Sequence, residues 1–355
     1  GLKTAREEIM RLLRASPAVF GEFGLSEFGT AALVDLIHAR RMEPTENFKK
    51  TMFSDAPNYS GYNMKTGYKA KKAGCSGCPI LCKKIGAAGE VIPEFETVSH
   101  FGALNGCGDM RIIVEANRIC NEYGIDTISS ASTIACYSEI SGRRVNPDDM
   151  AGMLVKIGNK EQGIGEALSE GSFKYALSVG HPELSMSVKG LELPAYDPRG
   201  AYGMALAYAT SNRGGCHLRA YPISHEILRK PVATDRFSFE GKARIIKIAE
   251  DLNSVIDSLT ACKFVFFAAS LEEYAKVVNA VTGLDYDVQS LLRMDERIWN
   301  LERKLNELNG FDKSYDDLPE RFFNEEGSSS ANIRIASIDR EAFLKEREAY
   351  YRIRG

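Results

Sequence analysis

Apolar positions recur at threes and fours along most of this chain, and strict alternation is rare, so helices are the expected elements. Residues 3–14 place Ala5, Ile9, Leu12 and Leu13 on one face. Residues 26–40 predict a second helix with Ser26 in the N-cap position. A Gly-, Tyr- and Lys-rich stretch, 49–72, reads as loop or extended chain. Residues 111–123 repeat Ile112, Ile113, Ala116, Ile119, Cys120 and Tyr123 at helical spacing, and Gly124 stands where a left-handed cap belongs. Residues 128–141 predict a nearly apolar helix, and 150–177 two shorter ones around Gly163 and Gly165.

Glycine and proline breakers with short alternating segments fill 179–197, where a domain boundary is expected. Asp197 as N-cap and Pro198 at the first helical position predict a helix over 197–212. The apolar run 264–271 predicts a central helix. Leu291, Met294, Ile298, Leu301, Leu305 and Leu308 form a stripe expected to face the core, ended by Gly310. A polar loop over 324–332 precedes a last helix at 339–352. The expected fold class is mainly α: two helical domains, residues 1–185 and 186–355, with few short strands.

Composition narrows the class. Apolar residues at 44% and charged residues at 26% are ordinary for a globular protein of 355 residues. A net charge of −3 offers no surface for nucleic acid. No apolar run reaches the roughly 18 residues of a membrane span, and no leader pattern opens the chain, so a cytoplasmic protein is expected. The start inside a helical pattern and the abrupt close at YYRIRG suggest part of a longer protein.

Eight cysteines are too sparse for a disulfide scaffold, but three fall within CSGCPILCKK, residues 75–84. Cys75, Cys78 and Cys82 can supply three thiolates from one loop to zinc or to an iron–sulfur cluster. No second cysteine pair completes a zinc site, whereas a [4Fe–4S] cluster commonly takes three clustered thiolates and one remote one. Three buried free thiols are the bland alternative. Pro79 would stiffen the loop, and Lys83 and Lys84 would offset cluster charge. The remote ligand must be Cys107, Cys120, Cys136, Cys216 or Cys262. Cys262 is favoured because it precedes an expected helix, whose start stabilises a thiolate. Cys120 and Cys136 read as core.

NEYGID at 121–126 and DSLTAC at 257–262 are similar to the paired motifs that grip two pterins in tungsten-containing aldehyde:ferredoxin oxidoreductases. The cysteine loop resembles that family's [4Fe–4S] loop, and IPEFET (92–97), the stretch 193–219 and the closing YYRIRG resemble it in order. The resemblance implies a tungsten (or molybdenum) bis-pterin, a [4Fe–4S] cluster on Cys75, Cys78, Cys82 and Cys262, and a small aldehyde as substrate. It also implies ferredoxin as partner, with a homo-oligomer conceivable. It matches Glu96 and His217 to active-site residues, and Asn121, Ile125, Asp126, Arg219 and Asp257 to pterin contacts. Arg199, in DPRG at 197–200, is expected to hold a pterin phosphate, with or without Mg²⁺. The family's β-rich N-terminal domain is missing from the sequence.

Three departures matter. Asn121 replaces an aspartate and keeps an acceptor. Thr260 and Ala261 replace Gly-Leu in the second motif, and a threonine resists the left-handed turn that a glycine accepts. Glu115 matches a bridging-metal position in some relatives, but Arg118 stands where they carry histidine, so that metal is not expected. His38, His100, His181 and His225 have no partner pattern and read as structural or surface. Two other readings compete: a noncatalytic iron–sulfur or cofactor-handling relative, and a zinc-stapled helical interaction domain.

Overall fold

The computed structural model describes residues 1–230 and 232–355 and is mainly α. Helices Met110–Tyr123 and Thr127–Ser141 form where their apolar spacing and caps predict them. Asp109 caps the first, through a bond from the Arg111 amide, and Gly124 ends it in the left-handed region (φ 66). The last helix, Arg340–Arg354, is capped by Asp339, whose carboxylate accepts from the Ala342 amide at 2.7 Å. The strands form two short antiparallel pairs, Lys71–Ala73 with Lys83–Ile85 and Ser187–Val188 with Leu191–Glu192.

Several expected helices are broken, each for a local reason. Residues 26–40 split into Leu25–Phe28, a 3-10 turn Gly29–Ala32 and Leu33–Ala39. Ser26 lies inside the first piece, not at its cap. Gly29 adopts φ +67, and a Cβ there would lie 2.6 Å from the Cys82 carbonyl oxygen. That close approach of the cysteine loop is what breaks the helix. Residues 197–212 split at Ala201, which is extended, into a 3-10 turn Pro198–Gly200 and helix Tyr202–Thr210. Residues 150–177 give three helices where two were expected: Met150–Gly158, Ile164–Ser169 and Ser172–Ser178. The stretch read as loop over 49–72 contains helix Gly61–Gly67. The apolar run after Cys262 forms only a half-buried 3-10 turn, Lys263–Phe267, and is not central.

Helix Val288–Leu308 buries Leu291, Asp295 and Trp299, while Leu301, Leu305 and Leu308 of the expected core stripe are exposed. The largest apolar core runs from Val34 to Tyr350 and takes residues from both halves of the chain. A smaller one joins Leu13, Val19, Leu25 and Ile80 to Cys78, Cys82, Phe264, Phe267 and Ala268. No helix among the described residues is long and apolar enough to cross a membrane.

Candidate functional site

The cysteine loop is the tip of the first hairpin. Strand pairing of Lys71 with Ile85 and Ala73 with Lys83 leaves residues 74–82 to turn back at the end. Two left-handed residues make that turn, Gly77 (φ 70) and Leu81 (φ 52), and the Cys78 amide closes it on the Cys75 carbonyl at 3.0 Å. The two lysines differ in role. Lys83 points outward and pairs with Glu94 at 3.1 Å. Lys84 is buried beneath the loop, where its ammonium donates to the Leu81 carbonyl at 2.9 Å and the Lys83 carbonyl at 3.2 Å. Burial without a carboxylate partner holds Lys84 down at about 8.

All four predicted cysteine ligands are free thiols. Cys75 and Cys262 are exposed, and Cys78 and Cys82 are half-buried. The segment after Cys262 comes to the loop's side of the molecule, since Phe264, Phe267 and Ala268 pack on the same small core (Leu13, Val19, Leu25, Ile80) as Cys78 and Cys82. Burial pushes the Cys82 thiol up, and the charges of Glu94 and Cys262 push the same way, so the remote cysteine lies within electrostatic reach. Among the described residues, no three Cys, His, Asp or Glu side chains close around a single ion. Cys120 and Cys136 are buried, as expected of core thiols, and burial pushes each up to about 12.

The two six-residue motifs are the same backbone turn. Helix Met110–Tyr123 ends at Gly124 (φ 66), and the Ile125 amide reaches back to the Cys120 carbonyl at 3.0 Å. Helix Lys242–Ser258 ends through Thr260 (φ 51), and the Ala261 amide reaches back to the Ile256 carbonyl at 3.0 Å. Each is a helix end closed by a six-to-one bond. The next residues also match: Asp126 has φ −69 and ψ 131, and Cys262 has φ −68 and ψ 129. Asp126 caps helix Thr127–Ser141 through the Ser129 amide at 2.8 Å, whereas the Cys262 side chain makes no capping bond.

Thr260 therefore keeps the left-handed turn despite its branched Cβ. Its hydroxyl donates to the Leu259 carbonyl at 2.7 Å. The strain has a measurable counterpart. Thr260→Gly is expected to stabilise the protein by about 1 kcal/mol, the usual penalty of a non-glycine residue in this region. A raised urea midpoint at unchanged slope would show it. A lowered midpoint would mean that the hydroxyl bond outweighs the strain.

Glu96 and His217 meet although they are far apart in sequence. Glu96 lies in the first turn of helix Phe95–Phe101, and His217 follows the Gly214-Gly215 turn. His217 Nε2 is 3.3 Å from Glu96 Oε1, and the Ala195 amide donates to Glu96 Oε2 at 2.7 Å. Glu96 Oε1 is buried without a hydrogen-bond partner. Burial pushes the Glu96 carboxyl up to about 8, helped by Asp126 and opposed by the Ala195 amide. The same desolvation drives His217 down to about 3. Near neutral pH the pair is thus a protonated carboxyl beside a neutral imidazole, and the two titrate together.

An aromatic wall links this pair to the cysteine loop. Tyr196 lies 5.6 Å from the His217 ring and Tyr221 lies 6.1 Å from it, and their hydroxyls are 3.2 Å apart. Tyr221 meets Phe266 at 5.9 Å, Phe266 meets Phe267 at 4.3 Å, and Phe267 packs on the same small core as Cys78 and Cys82.

Arg219 and Asp257 also come together, at 3.4 Å, with Lys263 at 2.7 Å from Asp257 and Glu302 at 3.7 Å from Arg219. Asn121 and Asp126 are exposed, and Ile125 is half-buried against the main core. Arg199 stands apart. It is fully buried, and its guanidinium donates to Asp197 and to the carbonyls of Phe48, Glu325 and Glu326. No donor is left for a phosphate, so the anion site expected at Arg199 is replaced by an internal clamp. Glu115 is taken by Arg118 at 2.6 Å.

Two participants were not read from the sequence: the Ala195 amide, and His100, one helical turn after Glu96. The i, i+4 spacing of Glu96 and His100 was the available signal.

A family model described as aldehyde ferredoxin oxidoreductase, domains 2 and 3, matches residues 4–355. The tungsten-containing aldehyde ferredoxin oxidoreductases of Thermococcus kodakarensis and Pyrococcus furiosus are each 38% identical, over 99% of this chain and 60% of their own length. That of Pyrococcus horikoshii is 36% identical over 100% of this chain and 61% of its length. The chain thus spans about three fifths of the curated relatives it matches. With its matched turns, cysteine loop and buried carboxyl–imidazole pair in place, the chain belongs to the aldehyde ferredoxin oxidoreductase family, a family of enzymes, and corresponds to its second and third domains.

Proposed function

We propose that this chain forms the catalytic and electron-transfer part of an enzyme that oxidises a small aldehyde to a carboxylate. The observation that carries the reading is the largely buried Glu96–His217 pair, flanked by Tyr196 and Tyr221, with one carboxyl oxygen buried and unbonded. When bound, a tungsten (or molybdenum) bis-pterin supplies the two-electron chemistry, and a [4Fe–4S] cluster passes the electrons singly toward ferredoxin.

The protein's own part is positioning and proton handling. Glu96, once deprotonated, accepts a proton from the water that adds to the aldehyde carbon; its raised affinity makes it an effective base near neutral pH. His217, neutral and 3.3 Å away, offers a donor or acceptor to the carbonyl oxygen. The aromatic wall excludes bulk water. The residues offered to the pterins are Asn121, Ile125 and Asp126 at the first turn, and Asp257 and Arg219 at the second. Mg²⁺ is not assigned to Arg199, whose donors are all engaged.

Cys75, Cys78, Cys82 and Cys262 fit a four-iron cluster better than a zinc ion. Three free thiols stand in one loop with no second cysteine pair in the sequence, and Cys262 lies within electrostatic reach of Cys82. Cys262→Ser in the full-length native protein, purified anaerobically, is expected to lose iron and broad visible absorption relative to the wild type. Colourless wild-type protein carrying zinc would overturn the cluster. Tungsten and pterin analysis of the same wild-type sample tests the enzyme reading, since a cofactor-handling or noncatalytic relative would hold no stoichiometric metal–pterin.

A further inference from the structure

His100 is buried, with 1% of its surface exposed, and both its ring nitrogens face acceptors. Nδ1 lies 2.7 Å from the Glu96 carbonyl oxygen and 3.6 Å from Glu96 Oε2, and Nε2 lies 3.1 Å from the Leu193 carbonyl oxygen. A neutral imidazole carries one N–H, so it can satisfy only one of two carbonyls and must turn a lone pair on the other. A ring with two N–H groups satisfies both, and Glu96 is the carboxylate placed to balance its charge. The ring is also held in place. Asn105 donates to the His100 carbonyl at 2.8 Å and to the Ala131 carbonyl at 3.0 Å, which fixes the end of the helix.

We propose that His100 is a positioning residue that shares the working proton of Glu96, one helical turn along, with its ring nearest Oε2 while His217 faces Oε1. This rests on Glu96 being the working carboxylate. The step is a transfer inside the pair: the Glu96 O–H bond breaks, a His100 N–H bond forms, and the total charge is unchanged. The carboxylate is thereby released for a water without a buried net charge being created.

The surrounding charges bear on that balance from several elements. Asp126, at the start of helix Thr127–Ser141, and Glu192, on the second hairpin, both favour the protonated ring. Asp126 also disfavours charge on Glu96. His217 faces the other carboxyl oxygen, and a charge on His100, then on Arg213, disfavours its protonation, so the two imidazoles do not carry charge together. The hydroxyls of Tyr196, Tyr208 and Tyr221 surround the carboxyl without carrying charge near neutral pH. Burial alone holds both Glu96 and His100 neutral, and the two carbonyls on His100 pull against it. The balance puts the proton under the control of this one side chain.

The test is infrared titration of the full-length protein, following the C=O stretch of protonated Glu96, assigned by its loss in Glu96→Gln. In His100→Gln, the band is expected to persist to higher pH by about one unit or more, because the partner that takes the proton is gone. A band that titrates at the same pH in both proteins would overturn the proposal. Should His100→Gln fail to fold, the reciprocal measurement serves: ring-nitrogen NMR of histidine-labelled wild type and Glu96→Gln. Removing the carboxylate must lower the proton affinity of His100 by a comparable factor, and an unchanged His100 signal refutes the coupling. Neither readout needs turnover. A shifted band in a protein that oxidises no aldehyde would refute the proposed function and leave this assignment standing, while activity with an unshifted band would do the reverse.

Discussion

Arg199→Met lowers the free energy of unfolding by about 3–5 kcal/mol, the cost expected when one partner of a buried ion pair is removed. The reason is the company Arg199 keeps. Asp197 is also fully buried and holds the guanidinium at 2.7 Å, so methionine strands a carboxylate away from water. Arg199 further grips the Phe48 carbonyl at 2.6 Å, while Arg321 grips the Asn47 carbonyl at 2.6 Å. Those carbonyls belong to three successive left-handed residues, Glu46, Asn47 and Phe48, at φ 50, 53 and 63. Each carries about 1–2 kcal/mol of backbone strain, which the two arginines help to hold. Chemical denaturation measures the loss, and Arg199→Lys should recover little of it because an ammonium cannot serve the same fork of acceptors. A loss below about 1 kcal/mol would mean that Asp197 finds other partners.

On the proposed function, Glu96→Gln in the full-length protein should cut aldehyde oxidation by about 10²–10⁴-fold, the range for a removed general base. It should also change how stability depends on pH. The Glu96 carboxyl rises from 4.5 to about 8 on folding. Its contribution is therefore fully present below 4.5 and is lost as pH rises through about 8. His217 falls from 6.5 to about 3, so its contribution is fully present above 6.5 and is lost as pH falls through 3. Wild-type stability should peak between these losses, around pH 5–7. Glutamine cannot ionise, so the variant gains on the wild type between pH 5 and 9, by about 2–4 kcal/mol after discounting the exposed edge of the carboxyl. Parallel melting curves for the two proteins would refute the buried protonated carboxyl.

Helices with clear signals were legible in the chain, because 110–123 carries an apolar face and a glycine stop, and 127–141 is a nearly apolar run with a cap at each end. Breaks set by a distant segment were not. Nothing local to Gly29 announces that the Cys82 carbonyl will press against it. The leucine stripe faces a core at Leu291 and Met294 but not at 301–308, for a related reason. Trp299 buries a different face, and Arg303 and Asn306 reach back to carbonyls around Thr210 and Asn212. At the site, residue types and spacing pointed to the cysteine loop, while Glu96 and His217 stood out only through the family resemblance. At Arg199 the sequence pointed to a phosphate, but the same residues serve internal carbonyls equally well, and tertiary contacts decide. His100 looked idle because a lone histidine shows its value only when both nitrogens can be seen.

The crossing of the main core between the chain's halves has a consequence for how the protein comes into being. Glu96 precedes Ala195 and His217, and Cys82 precedes Cys262 by 180 positions. A chain emerging from the ribosome in order therefore holds its thiol hairpin and carboxylate before it holds their partners. Contacts of such long sequence separation form late. Until the Phe264–Phe267 stretch docks, Cys78 and Cys82 lack their apolar cover. The Glu96–His217 pairing is thus among the last contacts to be made, and a nascent chain presents an open thiol loop until its C-terminal third has folded.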